Sequence, residues 1–85
     1  MNDGKINEIV AAAVGAKFDE WAALHPSLAS VIDRIALTEL AVERLRDSQA
    51  YRQAMEAYQR DRDEMNLVGR LADLAAPVIH SLLGL

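Results

Sequence analysis

Apolar positions recur in steps of three and four almost from the start of the chain. Ile6, Ile9, Val10, Ala13, Val14, Phe18, Trp21 and Leu24 fall on one stripe of a 3.6-residue period, which predicts an amphipathic helix over about residues 4–24. Asn2 or Asp3 suits its N-cap, and Pro26 ends it by disfavouring helical backbone at His25. Pro26 then fits the first turn of a second helix, where its missing amide hydrogen costs no intrahelical bond. Leu28, Val31, Ile32, Ile35, Val42 and Leu45 carry that second stripe to about Arg46. A corner at Pro26 between two helices is therefore expected.

Beyond Leu45 the stripe shifts. At 100° per residue, the step from Leu45 to Tyr51 rotates the apolar face by about 120°, and Tyr51, Ala54, Met55, Tyr58 and Met65 follow on the new face. Asp47 or Ser48 is a good N-cap, yet no Gly or Pro enforces a break, so a turn and one long helix with changing neighbours both fit. The run Arg60-Asp61-Arg62-Asp63-Glu64 is the most polar in the chain and reads as a solvated helix end or connection, with Glu56 and Arg60 in the favourable i,i+4 order and Arg60 in reach of Glu64.

Asn66 can cap a last helix over 67–85. Its apolar residues Leu67, Val68, Leu71, Leu74, Ala75, Val78, Ile79, Leu82 and Leu83 keep the helical period, opposite Gly69, Arg70, Asp73, Pro77 and Ser81. Pro77 removes one backbone bond and should bend this helix, most easily with the missing bond on the wet side. With no strand-like alternation of useful length and no repeat, the pattern predicts an all-α fold. It is a single domain over 1–85, a small bundle of three or four helices with a Pro26 corner and a bent C-terminal helix.

Composition narrows the function more than the fold. Hydrophobic residues make up 52% of the 85, which argues against a disordered chain, although fifteen of them are Ala. The formal charge of −4 argues against a general affinity for phosphate backbones or anionic lipid. Without cysteine there are no disulfides, thiol nucleophiles or thiolate metal sites. The short apolar run Ile9–Gly15 sits beside Glu8 and Asp3 and does not read as an export signal. Arg70, Asp73, His80 and Pro77 keep the tail from reading as a membrane span, and the cytoplasm is the expected compartment.

Candidate chemistry is sparse. His25 at the Pro26 corner reads as a turn residue placed to cap the carbonyls ending the first helix, and His80 as a residue near a helix C-terminus where the dipole favours its charged form. Neither lies in a catalytic or metal-ligating motif, so no enzyme activity, cofactor, metal or small-molecule substrate is expected. Arg44, Arg46, Arg52, Arg60 and Arg62 cluster, but Glu43, Asp47, Glu56, Asp61, Asp63 and Glu64 interleave with them as on a solvated face, which argues against nucleic acid as a partner. Trp21 reads as core filling, and Tyr51, Met55 and Tyr58 as the edge of a helix seam. Ala11 with Gly15, and Ala12 with Ala16, would admit a helix close to the first one.

The last helix carries the functional expectation. Twelve apolar residues in its nineteen exceed the three-in-seven face that one contact needs, which implies burial from two sides: a central position, or an oligomer. The expected function is a non-enzymatic structural or adaptor protein that forms a homo-oligomer and offers a helical surface to protein partners. Its expected interface comprises Leu67, Val68, Leu71, Leu74, Val78, Ile79, Leu82 and Leu83 with Tyr51, Met55 and Tyr58. The runner-up is a peripheral membrane protein docking residues 67–85 on lipid, and the third reading is a small nucleic-acid-associated regulator.

Overall fold

Four long helices and one single turn account for nearly all of residues 3–84, the part of the chain that the computed structural model describes. In order they are α1 (Asp3–Leu24), α2 (Pro26–Ala29), α3 (Arg34–Arg46), α4 (Gln49–Asp61) and α5 (Glu64–Leu83). The fold is all-α, with no strand among the described residues. The N-terminal stripe forms α1 as its period requires; the cap expected from Asn2 or Asp3 lies outside the described side chains.

The stripe over 26–46 does not form one helix. After the single turn of α2 the chain breaks at Ser30–Asp33, and α3 restarts because the Asp33 carboxylate accepts the Ala36 amide hydrogen at 3.2 Å. Ser30 strengthens the interruption: its hydroxyl donates to the Ser27 carbonyl oxygen at 2.8 Å and so competes with the helical ladder. A break also falls at Asp47-Ser48. There one hydroxyl serves two helix ends, since Ser48 Oγ donates to the Leu45 carbonyl at 2.7 Å and accepts from the Tyr51 amide at 3.1 Å.

Between α4 and α5 the turn is made by Arg62, left-handed at φ 55°, whose amide donates to the Tyr58 carbonyl at 2.8 Å. Asp63, not Asn66, caps α5: its carboxylate accepts the Asn66 amide at 3.1 Å, one turn earlier than the apolar stripe implies. Neither Glu56–Arg60 nor Arg60–Glu64 closes as an ion pair among the described residues; Glu64 instead pairs with Lys5 on α1. Helix α5 continues through Pro77, which is exposed, so the missing bond to the Asp73 carbonyl lies on the wet side.

Of the two readings of the overly apolar last helix, the structure shows the central position. Helix α5 packs on α1, α3 and α4. It runs parallel to α1, with Lys5 against Glu64 at one end and Trp21 beside Ile79 at the other. It runs antiparallel to α4, to which the tight turn at Arg62 joins it, and the two helices line one hollow with Ala50, Gln53 and Ala54 on one side and Arg70, Asp73 and Leu74 on the other. Helix α3 lies antiparallel to α1, tied by the Arg34–Asp19 ion pair and by the Arg34 guanidinium over the Phe18 ring.

Leu67, Leu71, Ala75 and Ile79, four apart, form the spine of one core with Val10, Val14, Phe18 and Trp21 of α1, Ala41 and Leu45 of α3, and Tyr51 and Ala54 of α4. Each fully buried Leu or Ile of that spine contributes about 1.5–3 kcal/mol of transfer free energy.

Candidate functional site

The residues expected at an interface divide into two groups. Leu67, Leu71, Ile79 and Tyr51 are buried in the core of the single chain, where α1, α3 and α4 already cover them. Leu74, Val78, Leu82, Leu83, Met55 and Tyr58 are half-buried against that core, and Val68 alone is exposed. The physical reason is topological: a helix ringed by three others spends its broad apolar side inside the fold. Docking 67–85 on lipid would likewise require the bundle to open, because the same spine faces inward.

Uncovered apolar surface lies elsewhere. Leu24, Leu28, Val31 and Ile35 are 77%, 49%, 79% and 74% exposed. Their spacing of four, three and four follows the stripe read along 24–35, but the one-turn α2 and the break at Ser30–Asp33 carry that stripe over the corner to the outside. Together the four residues, within twelve positions around one corner, expose on the order of 500 Å² of largely apolar surface, an amount comparable to the 300–600 Å² patches that are often functional. Asp33 and Arg34 stand beside this face, both exposed.

A second feature opens beside it. A cleft of about 560 Å³ lies between the C-terminal halves of α1 and α5, lined by Lys17, Glu20, Trp21, Leu24, His25, Ala76, Ile79 and His80. It gathers both histidines of the chain, which are 55 residues apart in sequence. His25 is placed by the corner: its amide donates to the Trp21 and Ala22 carbonyls at 3.0 and 3.3 Å, and its ring lies 5.2 Å from that of Trp21. The backbone of His25, not its imidazole, thus closes the end of α1. Lys17 and Glu20 form an ion pair at 2.9 Å, and the hydrogen bond that the ammonium donates to Glu20 raises the Lys17 pKa above its ordinary 10.5.

Trp21 is 4% exposed, as expected of a core residue. Its indole nitrogen, however, is buried and has no hydrogen-bond partner among the described residues. Leaving such a donor unpaired costs about 1–3 kcal/mol.

No group of three or more His, Asp or Glu side chains among the described residues is arranged to hold a metal ion. The five clustered arginines are exposed, and no carboxylate lies within ion-pair distance of them among the described residues; Glu43, Asp47, Glu56, Asp61 and Asp63 are exposed in the same segment. Their fields overlap within a Debye length of about 8–10 Å. No described helix is long and apolar enough to cross a membrane.

Periodicity gave no means of finding the outer face, because it marks which residues share a side and not whether that side is covered. Asp33, a capping residue in mid-stripe, was the available signal. Compared with protein-family models, with curated proteins and with solved structures, the chain finds no match in any of the three.

Proposed function

We propose that this chain is a non-enzymatic helical structural or adaptor protein of the cytoplasm that self-associates through the outer apolar face of Leu24, Leu28, Val31 and Ile35. The observation that carries the reading is the exposure of those four large side chains within twelve consecutive residues. A second copy is the occupant that fits best. A twofold axis through the face sets the same apolar residues against each other, so a surface that is apolar on one copy meets an equally apolar one on the next. An ordinary specific interface buries about 800 Å² per partner, and this face supplies more than half of that. The area suits a reversible dimer; the assembled surface, including the exposed arginines of α4, is then what a protein partner meets. A lipid surface is less suited, because the rim has no excess of basic side chains to attract anionic headgroups.

Light scattering of the full chain over a concentration series tests the proposal. The unmodified chain should show a dimer that dissociates on dilution, and Val31→Asp should be monomeric with unchanged helix content. A monomer at high micromolar concentration, or a dimer indifferent to Val31→Asp, would overturn it. Retention on floated neutral liposomes that Val31→Asp abolishes would assign the face to lipid instead.

A further inference from the structure

The cleft between α1 and α5 has a composition different from the outer face. Its floor is apolar, formed by Trp21, Leu24, Ala76 and Ile79. Its polar members are mostly donors or groups able to become so: the Lys17 ammonium and the imidazoles of His25 and His80. Glu20 is the one carboxylate lining it, and it is already engaged by Lys17. The Trp21 indole N–H is buried and unpartnered among the described residues, so it is not among the groups a ligand in the cleft meets. At about 560 Å³ the cleft is within the 300–1,000 Å³ of small-molecule sites, which combine apolar walls with a few polar groups in this way.

We infer that the cleft binds an amphipathic monocarboxylate, a molecule with an apolar body of about eight carbons and one ionised carboxyl group. The body lies along Leu24, Ala76 and Ile79. The carboxylate competes with Glu20 for the Lys17 ammonium, which Glu20 holds at 2.9 Å, and can accept from an imidazole N–H; a charge-assisted hydrogen bond is stronger than one to a neutral group. An alcohol of the same length satisfies the floor and lacks the charge; an alkylammonium brings a second cation to Lys17. This inference departs from the expectation that the chain takes no small molecule, and it does not depend on the proposed self-association. Leu24 borders both sites, whereas Val31→Asp alters the outer face alone and should leave the cleft intact.

Octanoate, octanol and octylamine are the probes, titrated into the full-length chain below their micellar concentrations and followed by calorimetry and by amide and indole NMR. Trp21 is the sole tryptophan, so its indole resonance reports the cleft without ambiguity. Octanoate should bind saturably, at least tenfold tighter than octanol, shifting the resonances of Trp21, Ala76 and His80. The charged groups facing the imidazoles are Lys17 and Glu20 of α1, with Asp73 of α5 close enough to act on Lys17.

His80→Gln, at an exposed position, should leave the fold intact and keep octanoate binding saturable, since Lys17 and His25 remain in the cleft. Lys17→Met should weaken octanoate tenfold and leave octanol unchanged. Equal affinity for octanoate and octanol would overturn the proposal, leaving only an apolar hollow. So would the absence of saturation, or shifts centred on Leu28, Val31 and Ile35, and these results need no variant to interpret.

Discussion

Truncating Leu71 tests the arrangement on which both sites depend. Leu71 is 0% exposed at the middle of the α5 spine, where α1, α3 and α4 converge. Leu→Ala in a core costs about 2–5 kcal/mol, with the cost set by how far the surroundings collapse into the cavity. Collapse is limited here, because several of the buried neighbours are already Ala (Ala13, Ala41, Ala54 and Ala75) and hold no longer side chain to swing inward. The expected loss is therefore in the upper half of the range, about 3–4 kcal/mol. An 85-residue chain has in total roughly 4–13 kcal/mol of stability, at about 0.05–0.15 kcal/mol per residue. At 4–8 °C per kcal/mol for a chain of this size, the melting temperature should fall by about 15–30 °C.

Met65→Ala on the same helix is the control, since Met65 is 86% exposed and the change should stay within about 0.5 kcal/mol. Urea titration followed by circular dichroism at 222 nm, at one fixed protomer concentration, measures both; the concentration is held because association adds to apparent stability. If Leu71→Ala costs no more than Met65→Ala, α5 is not central and the account of the core is wrong.

Other perturbations probe the connections. Ser48→Ala should cost about 1 kcal/mol, read from the same urea curves, because its hydroxyl serves the end of α3 and the start of α4 together. Arg62→Gly should raise the melting temperature, by the equivalent of about 0.5–1 kcal/mol, as the left-handed φ of 55° strains every residue with a Cβ. Pro77→Ala should stabilise by about 1–2 kcal/mol, the restored helical bond outweighing the lost rigidity of the unfolded chain; a decrease would mean that Pro77 contributes packing. Lys5 has its pKa raised above 10.5, first by the hydrogen bond it donates to Glu64 and next by that carboxylate's charge. Whatever the pair contributes is present below that pH, including at pH 7, and is lost as pH rises through the raised value, so Lys5→Met should flatten the alkaline limb of a stability-pH curve and lower the stability near pH 7 by the same small amount; a flattened limb with no loss near pH 7 would refute the assignment.

The parts of the fold readable in the sequence are those fixed within a turn or two of chain. The stripe from Ile6 to Leu24 becomes α1, the Pro26 corner is where the backbone rule puts it, and the side of α5 that Leu67, Leu71, Ala75 and Ile79 occupy is the buried one. Local rules failed where two of them competed. From Leu28 to Leu45 the apolar period argued for continuity, while Ser30 and Asp33 had hydroxyl and carboxylate groups able to bond their own backbone, and the side chains won. At α5 the same competition between Asp63 and Asn66 went to the earlier cap, adding a turn in which Glu64 reaches Lys5. The cleft was not legible at all, because His25 and His80 meet only through the parallel packing of α1 on α5.

The distribution of apolar surface follows from that same packing. Three neighbours around α5 use up its broad face, so the excess that suggested an oligomer is satisfied within one chain. The deficit reappears at the corner, since a helix of four residues is too short to cover the end of α1 and the start of α3 at once. Leu24, Val31 and Ile35 gain nothing from exposure, and each is worth about 25 cal/mol per Å² only when something covers it. A polar residue at Val31 or Ile35 would therefore leave the monomer as stable as before, within about 0.5 kcal/mol. Any larger effect of Val31→Asp on apparent stability measures the cover itself. Its growth with protomer concentration would distinguish a second copy from every other occupant, because only self-association ties stability to the concentration of this chain.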